Sequence, residues 1–275
     1  MSPEPESPTD QGLPAVLRRR RMAEVIASRG FVKVVDLSET FGISGVTVRS
    51  DLGALERARL ILRVHGGAVP RQAAPEREAS FEESLESSSG AKEHIGTAAA
   101  AMVVSGQSVL LDVGTTTLAV ARALVARSDL HDVTIVTNGL TIALELERAI
   151  PRFTVVVTGG TLRPLQHSLV DPLARPVLEQ MHADIAFLGC NGVDVERGVT
   201  NINLPEAEIK RLMLGASARP VVVADSSKLD RVHLGTVGPL ADVATLITDD
   251  GAAAGRIDAF RAAGVDVVVA DSRPA

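Results

Sequence analysis

Residues 34–69 read VVDLSETFGISGVTVRSDLGALERARLILRVHGGAV. This stretch predicts two short helices across a tight turn, followed by a small hairpin. Asp36 is placed to cap a first helix through Phe41, Gly42 breaks it, and Ser44 caps a second helix running to about Arg57. Leu37, Phe41, Ile43, Val48, Leu52, Leu55 and Leu60 have the spacing that closes a compact core. That leaves Ser44, Gly45, Thr47, Arg49 and Ser50 on the outer face at the front of the second helix. Short polar groups and an arginine at a leading helix end fit the major groove of duplex DNA. The competing reading is a helical hairpin packed on a larger domain.

Charge supports the first reading. The chain carries a formal net charge of -6, but residues 14–71 hold eleven Lys or Arg against five Asp or Glu, a local +6. The rest of the chain therefore carries -12. A basic module on an acidic body suits contact with backbone phosphates while opposing indiscriminate coating of DNA. The run Arg18, Arg19, Arg20 and Arg21 belongs to a helix expected over residues 14–28, ended by Gly30, with Val16, Met22, Ala23 and Ile26 facing inward. Residues 31–34 suit a short strand, and residues 60–64 with 68–69 a hairpin around His65, which makes a winged helix-turn-helix. Its wing would reach phosphates or the minor groove with Arg63 and His65; Arg59 is either a further contact or a plain surface residue.

Composition excludes several classes. At 275 residues the chain is long enough for about two domains. With no Trp or Tyr and 2% aromatics, single-strand binding by base stacking is disfavoured. The single Cys190 lies in an apolar run and rules out an internal disulfide framework. Six His without HExxH spacing give no sign of zinc, so neither metal nor cofactor is expected. The opening residues 1–13 are polar and proline-rich, read as a disordered tail rather than a secretory signal. No apolar stretch is long enough to span a membrane, so a soluble cytoplasmic protein is expected.

Residues 71–90 turn polar and acidic and read as a linker. From residue 91 helical segments alternate with short apolar strands (SVLLD, VTIVT, FTVVVTG, IAFLG, RPVVVAD, TLITD), which predicts an α/β domain over 91–254 whose parallel sheet is covered on both faces. A last helix, strand and tail fill 255–275. Open α/β sheets gather ligands at the carboxyl ends of their strands, and four such exits carry polar chemistry. They are Asp112-Val113-Gly114-Thr115-Thr116-Thr117, Thr137-Asn138-Gly139, Gly159-Gly160-Thr161-Leu162-Arg163 and Asp225-Ser226-Ser227-Lys228. The first would cradle an oxyanion at a helix start, without the lysine of an ATP-binding P-loop. Arg163 and Lys228 would meet an anion. Pro205 starts a further helix with Glu206 and Lys210 on one face, either paired with each other or aimed at sugar hydroxyls and a phosphate. A pocket of donors and cations, not strongly apolar, favours a small phosphorylated polyol.

With these pieces in order, GISGVTVRSDLGALE, LILRVHGGAV, LLDVGTTT, VVTNG, VVTGGTLR, AFLGCNGVD, PEAEIKR and VVVADSSK, the chain resembles the DeoR family of bacterial transcriptional regulators over residues 18–250. The resemblance implies an N-terminal winged helix-turn-helix and a C-terminal α/β sensor similar to the ribose-phosphate isomerase and glucosamine-phosphate deaminase group. It implies a non-enzymatic repressor of carbohydrate uptake or catabolism genes, released by a phosphorylated sugar and acting as a homodimer or homotetramer on an operator. An activator, and a sugar-phosphate isomerase or deaminase with an accessory DNA module, are the rival readings. Carried over, effector contacts fall on Asp112, Gly114, Thr115, Thr116, Asn138, Gly160, Glu206, Lys210, Ser227 and Lys228. Arg49 and its neighbours Ser44, Thr47 and Ser50 would read bases, while Arg18, Arg19 and Arg63 position the backbone. Two departures stand out: Ser50 replaces a second arginine, and Asp171 stands where glycine is common.

Overall fold

The computed structural model describes residues 14–29, 31–58, 60–64, 66–70 and 78–271. The chain divides into two compact units, one ahead of Glu78 and one from Glu78 onward. The expected tail over 1–13, together with Gly30, Arg59 and His65, lies outside the described residues.

The first unit comprises α1 (Ala15–Arg29), β1 (Val32–Lys33), α2 (Val34–Phe41), α3 (Gly45–Arg57), β2 (Ile61–Val64) and β3 (Gly67–Pro70). Strands β2 and β3 form the antiparallel wing, and β1 pairs on the outer side of β3. Ser44 caps α3, its hydroxyl accepting from the Thr47 N–H at 3.2 Å. Gly42 ends α2 in the left-handed conformation. Asp36 is not the cap of α2: the helix starts two residues earlier, and Asp36 in its first turn accepts from the Lys33 N–H at 3.4 Å. Met22, Ile26, Leu37, Phe41, Val48, Leu52 and Leu55 close the core. Leu60, expected inside, is 55% exposed; the period-two pleat of β2 turns Ile61 inward instead. Val16 is likewise exposed, lying on the first turn of α1 ahead of the residues that pack on α3.

A buried carboxylate fastens α1 to α3. Asp51 accepts from Arg18 Nε at 2.8 Å and from Arg19 Nε at 2.7 Å. Burial alone would raise its pKa, but the two guanidiniums outweigh that and hold it below the ordinary 3.8. Its stabilisation is therefore present above that value and lost as pH falls further. Replacing Asp51 by alanine removes an acceptor shared by two guanidiniums, one of them 38% exposed, and is expected to cost about 2 kcal/mol. Urea unfolding of the variant checks this; a loss below 1 kcal/mol would show the pair to be incidental.

The second unit runs α4 (Phe81–Glu86), α5 (Ser89–Ala100), β4 (Ser108–Leu111), α6 (Thr115–Ala126), β5 (Val133–Thr137), α7 (Leu140–Glu147), β6 (Phe153–Val157), β7 (Thr161–Arg163), β8 (Ser168–Val170) and α8 (Ala174–Leu178). It continues through β9 (Ile185–Leu188), β10 (Gly192–Asp194), β11 (Gly198–Asn201), α9 (Leu204–Gly215), β12 (Pro220–Val223), β13 (Gly235–Gly238), β14 (Thr245–Asp249), α10 (Ala254–Ala262) and β15 (Asp266–Ala270). Seven strands form one sheet in the order β15-β14-β12-β9-β4-β5-β6, and every pairing in it is parallel. Its strands are near-continuous apolar runs because helices cover both faces: α5, α6 and α7 pack over one core, α8, α9 and α10 over the other. The short hairpin β7–β8 and the small antiparallel sheet β10-β11-β13 were not expected from sequence; their strands of three or four residues are too brief to show a pattern.

Residues 78–90, expected as linker, belong to this unit. Phe81 is buried in its core, and Ser80 caps α4 in a reciprocal box with Glu83. The acidic composition there reflects ion pairing and helix-start preference rather than a solvated tether. The last helix and strand join the unit too, with β15 as an edge of the main sheet.

Candidate functional site

Chain order along the main sheet runs outward in both directions from β4 and β9, so the crevice beyond the carboxyl ends of these two neighbours is the topological switch point. Asp112 leaves β4 there, and Gly189 and Cys190 leave β9. The Asp112 carboxylate is fully buried; its Oδ2 accepts from the Gly189 N–H at 3.0 Å and pairs with the Lys210 ammonium from α9. Its Oδ1 is buried with no hydrogen-bond partner among the described residues. Burial pushes the Asp112 pKa up to about 6 against the pull of Lys210. Burial also disfavours the Lys210 ammonium, yet Asp112 and Glu206 together hold its pKa above the ordinary lysine value. The pair is thus ionised at neutral pH, with one acceptor oxygen unspent.

The neighbouring strand exits and helix starts carry further polar groups. Gly114 precedes α6 and has no side chain to accept from the first N–H groups of that helix. Thr115 is buried and Thr116 half-buried at this helix start, while Thr117 turns inward to donate to the Gly114 carbonyl at 3.0 Å. Lys228 is half-buried, and its ammonium has no hydrogen bond or ion pair among the described residues. The half-buried Cys190 thiol feels the charges of Lys210 and Lys228, but burial pushes its pKa up to about 12, leaving a neutral thiol rather than a nucleophile. Lys92 of α5 was not singled out from sequence. It lies close enough to Asp225 and Lys228 to feel both, donates to the Ser87 carbonyl at 2.6 Å, and has its pKa lowered by burial.

Other expected contacts are committed to the protein itself. Asn138 is buried; its Oδ1 accepts from the Val113 N–H at 2.9 Å and its amide nitrogen donates to the Leu169 carbonyl at 3.4 Å. It ties the exit of β4 to the β7–β8 hairpin. Gly160 adopts φ 128°, and a Cβ there would fall 2.2 Å from the Val170 carbonyl oxygen, so strand pairing accounts for the glycine. The Ser227 hydroxyl and N–H both serve Asp225. Arg163 is engaged twice, binding Glu78 through both terminal nitrogens and Glu206 Oε1 at 2.8 Å. Glu206 also accepts from the Ser168 hydroxyl at 2.6 Å. Glu206 and Lys210 therefore do not pair with each other, although they share a helix face. Asp171 lies between β8 and α8, 3.9 Å from Arg175 Nε. Among the described residues no cluster of His, Cys, Asp or Glu is placed to hold a metal, and no helix is long and apolar enough to cross a membrane.

In the first unit, Arg49 and Ser50 are exposed on α3, and the Arg49 guanidinium has no partner among the described residues. Thr47 is half-buried and shares the cap with Ser44, the two hydroxyl oxygens 2.9 Å apart. Arg63 is exposed on the wing. The Arg18 side chain is only 15% exposed and that of Arg19 38%, because both turn toward Asp51. Arg20 and Arg21 are the exposed members of that run, each near Glu24.

Two family models match this arrangement: the DeoR-like helix-turn-helix domain over residues 18–72 and the DeoR C terminal sensor domain over residues 87–250. The HTH-type transcriptional regulator GlpR of Haloferax volcanii is 38% identical over 251 residues, covering 91% of this chain and 96% of the relative. Transcriptional repressor AccR of Agrobacterium fabrum is 34% identical, covering 85% and 89%. The glycerol-3-phosphate regulon repressor of Escherichia coli K12 is 30% identical, covering 84% and 90%. Among solved structures, ribose 5 phosphate isomerase A from Neisseria gonorrhoeae matches half of this chain and 52% of its own, at 16% identity and a TM-score of 0.38. A winged helix with an unpaired arginine on its second long helix, followed by an α/β unit, and both family models matching in order along nearly the whole chain, lead to one conclusion: the chain belongs to the DeoR family of DNA-binding transcriptional regulators.

Proposed function

We propose that the protein represses genes of carbohydrate uptake or catabolism and leaves its operator when a phosphorylated sugar binds the second unit. The observation that carries this reading is the unspent, buried Oδ1 of Asp112 at the switch point of the sheet. A sugar hydroxyl donates to that oxygen, which ends its unsatisfied burial. The phosphate lies toward Lys228 and the open first turn of α6, where backbone N–H groups and the helix dipole favour an anion. The names of two relatives point the same way, both being repressors and one governing a glycerol-3-phosphate regulon.

Release is transmitted through Arg163. This residue links Glu206, one helical turn from Lys210, to Glu78, which directly follows the residues joining the two units in sequence. An effector anion that draws Arg163 toward the pocket weakens its hold on Glu78. A homodimer or homotetramer supplies two matched reading helices for a two-fold operator. The test is operator affinity at fixed salt, with and without a panel of sugar phosphates. At least one should weaken binding tenfold or more, and D112N should abolish that response while retaining operator binding. No response to any of the panel would overturn the sensor reading.

A further inference from the structure

The helix α3 carries two residues that do nothing for its own unit. Val48, Asp51, Leu52 and Leu55 are buried and define its inner face. At 3.6 residues per turn, Val46, Ser50, Gly53 and Arg57 fall on the opposite side, with Arg49 alongside. Val46 is 74% exposed in the first turn, although a β-branched apolar residue there gains neither burial nor helix propensity. Gly53 lies in the helix interior, where glycine is the least favourable residue after proline. A Cβ at Gly53 would meet only the tip of Arg57, at 3.8 Å, so packing does not demand the missing side chain.

Both costs lie on one ridge, and that ridge faces away from the core. Its profile is a methyl pair, a short hydroxyl, then bare backbone beside the tip of the Arg57 side chain. We propose that this ridge is the base-facing surface of α3: Val46 packs its methyl groups on the 5-methyl of a thymine, and Gly53 is left without a side chain so that the duplex can approach the helix. The major groove displays that methyl group only at A·T pairs, so the contact selects thymine at one position of each half-site. Ser50 belongs to the same ridge, where its short side chain leaves the outer face of the helix open. Arg49, exposed and unpaired, flanks the ridge and supplies the polar reading beside it. The inference rests on the DNA-binding role of the family and adds to it the residue and the base.

The experiment uses the full chain and duplexes it selects from a random-sequence pool. In the selected site each thymine is replaced singly by deoxyuridine, which removes only the methyl group. One position per half-site should weaken wild-type binding about fourfold, the value of one buried methyl group. V46A should bind the thymine site about fourfold more weakly and be indifferent to deoxyuridine there. G53A should raise the thermal midpoint of the free protein yet bind the selected site at least tenfold more weakly. Its opposite signs on stability and affinity separate a docking role from a folding one. Insensitivity to deoxyuridine at every position, or an undiminished deoxyuridine penalty in V46A, overturns the thymine contact. A stabilised G53A that binds as tightly as wild type overturns the close approach. Failure of the wild-type chain to select any sequence would instead strike at the DNA-binding role itself.

Discussion

Replacing Lys210 by methionine is expected to destabilise the second unit by about 3–5 kcal/mol near pH 8, the cost of leaving a buried charge without its partner. The substitution keeps the bulk of the side chain, so the effect reports the ammonium rather than a cavity. Asp112 would retain only the Gly189 N–H. Its pKa, already raised to about 6 from the ordinary 3.8, would climb further. The penalty should therefore shrink as pH falls and the carboxyl takes up a proton. In the wild type, the folded state binds that proton more tightly than the unfolded chain. Stability contributed at this site falls as pH rises from about 4 to about 6, by an amount of order 3 kcal/mol. D112N removes this segment of the pH profile, and the double variant D112N/K210M should recover most of what K210M loses. Urea unfolding at several pH values measures all three; a K210M cost below 1 kcal/mol at pH 8 would show that the pair does not hold α9 to the sheet.

The second large effect concerns Arg163. R163M takes the guanidinium from Glu78 and leaves Glu206 with the Ser168 hydroxyl; with both carboxylates nearly buried, it is expected to cost about 3 kcal/mol. Glu78→Gln is gentler, because Arg163 keeps Glu206 and a neutral partner remains for its fork; about 1–2 kcal/mol is expected. The more telling readout is regulatory. An effector that competes with Glu78 for Arg163 meets a weaker rival in E78Q. Its half-maximal concentration for operator release should then fall about tenfold, the equivalent of 1.4 kcal/mol. An unchanged titration midpoint in E78Q, with stability lowered as expected, would make Glu78 a structural anchor and remove it from the switch.

The sequence showed elements more readily than partnerships. Ser44 with Thr47, the glycine after Phe41 and the apolar runs from SVLLD to TLITD are local signals, and each resolved into the expected cap, stop or strand. The switch-point position of Asp112 needed the strand order, which no local signal contains. Ion pairs were harder still. Asp112 and Lys210 are 98 residues apart, Arg163 and Glu78 are 85, and Arg18 and Asp51 are 33. Glu206 and Lys210 were legible as one helix face, but spacing cannot tell that each finds its partner on a different strand exit. Asn138 and Gly160 had the residue types of ligand contacts, and the structure uses both in its own backbone. Lys92 and Glu78 carried no sequence signal, one inside an alanine-rich helix and the other in an acidic stretch that resembles a tether.

The buried Asp51 alters how the basic N-terminal run should be counted. Eleven basic residues in that region suggest a long list of phosphate contacts. Asp51, however, draws Arg18 almost wholly, and Arg19 in part, out of solvent. Fewer cations then displace condensed counterions when the duplex binds, and the fall of affinity with added salt is correspondingly shallower. A shallow salt slope leaves relatively more of the operator preference to the base edges. Arg18 is thus spent on the fold, and the expected salt slope is set by the cations that stay exposed.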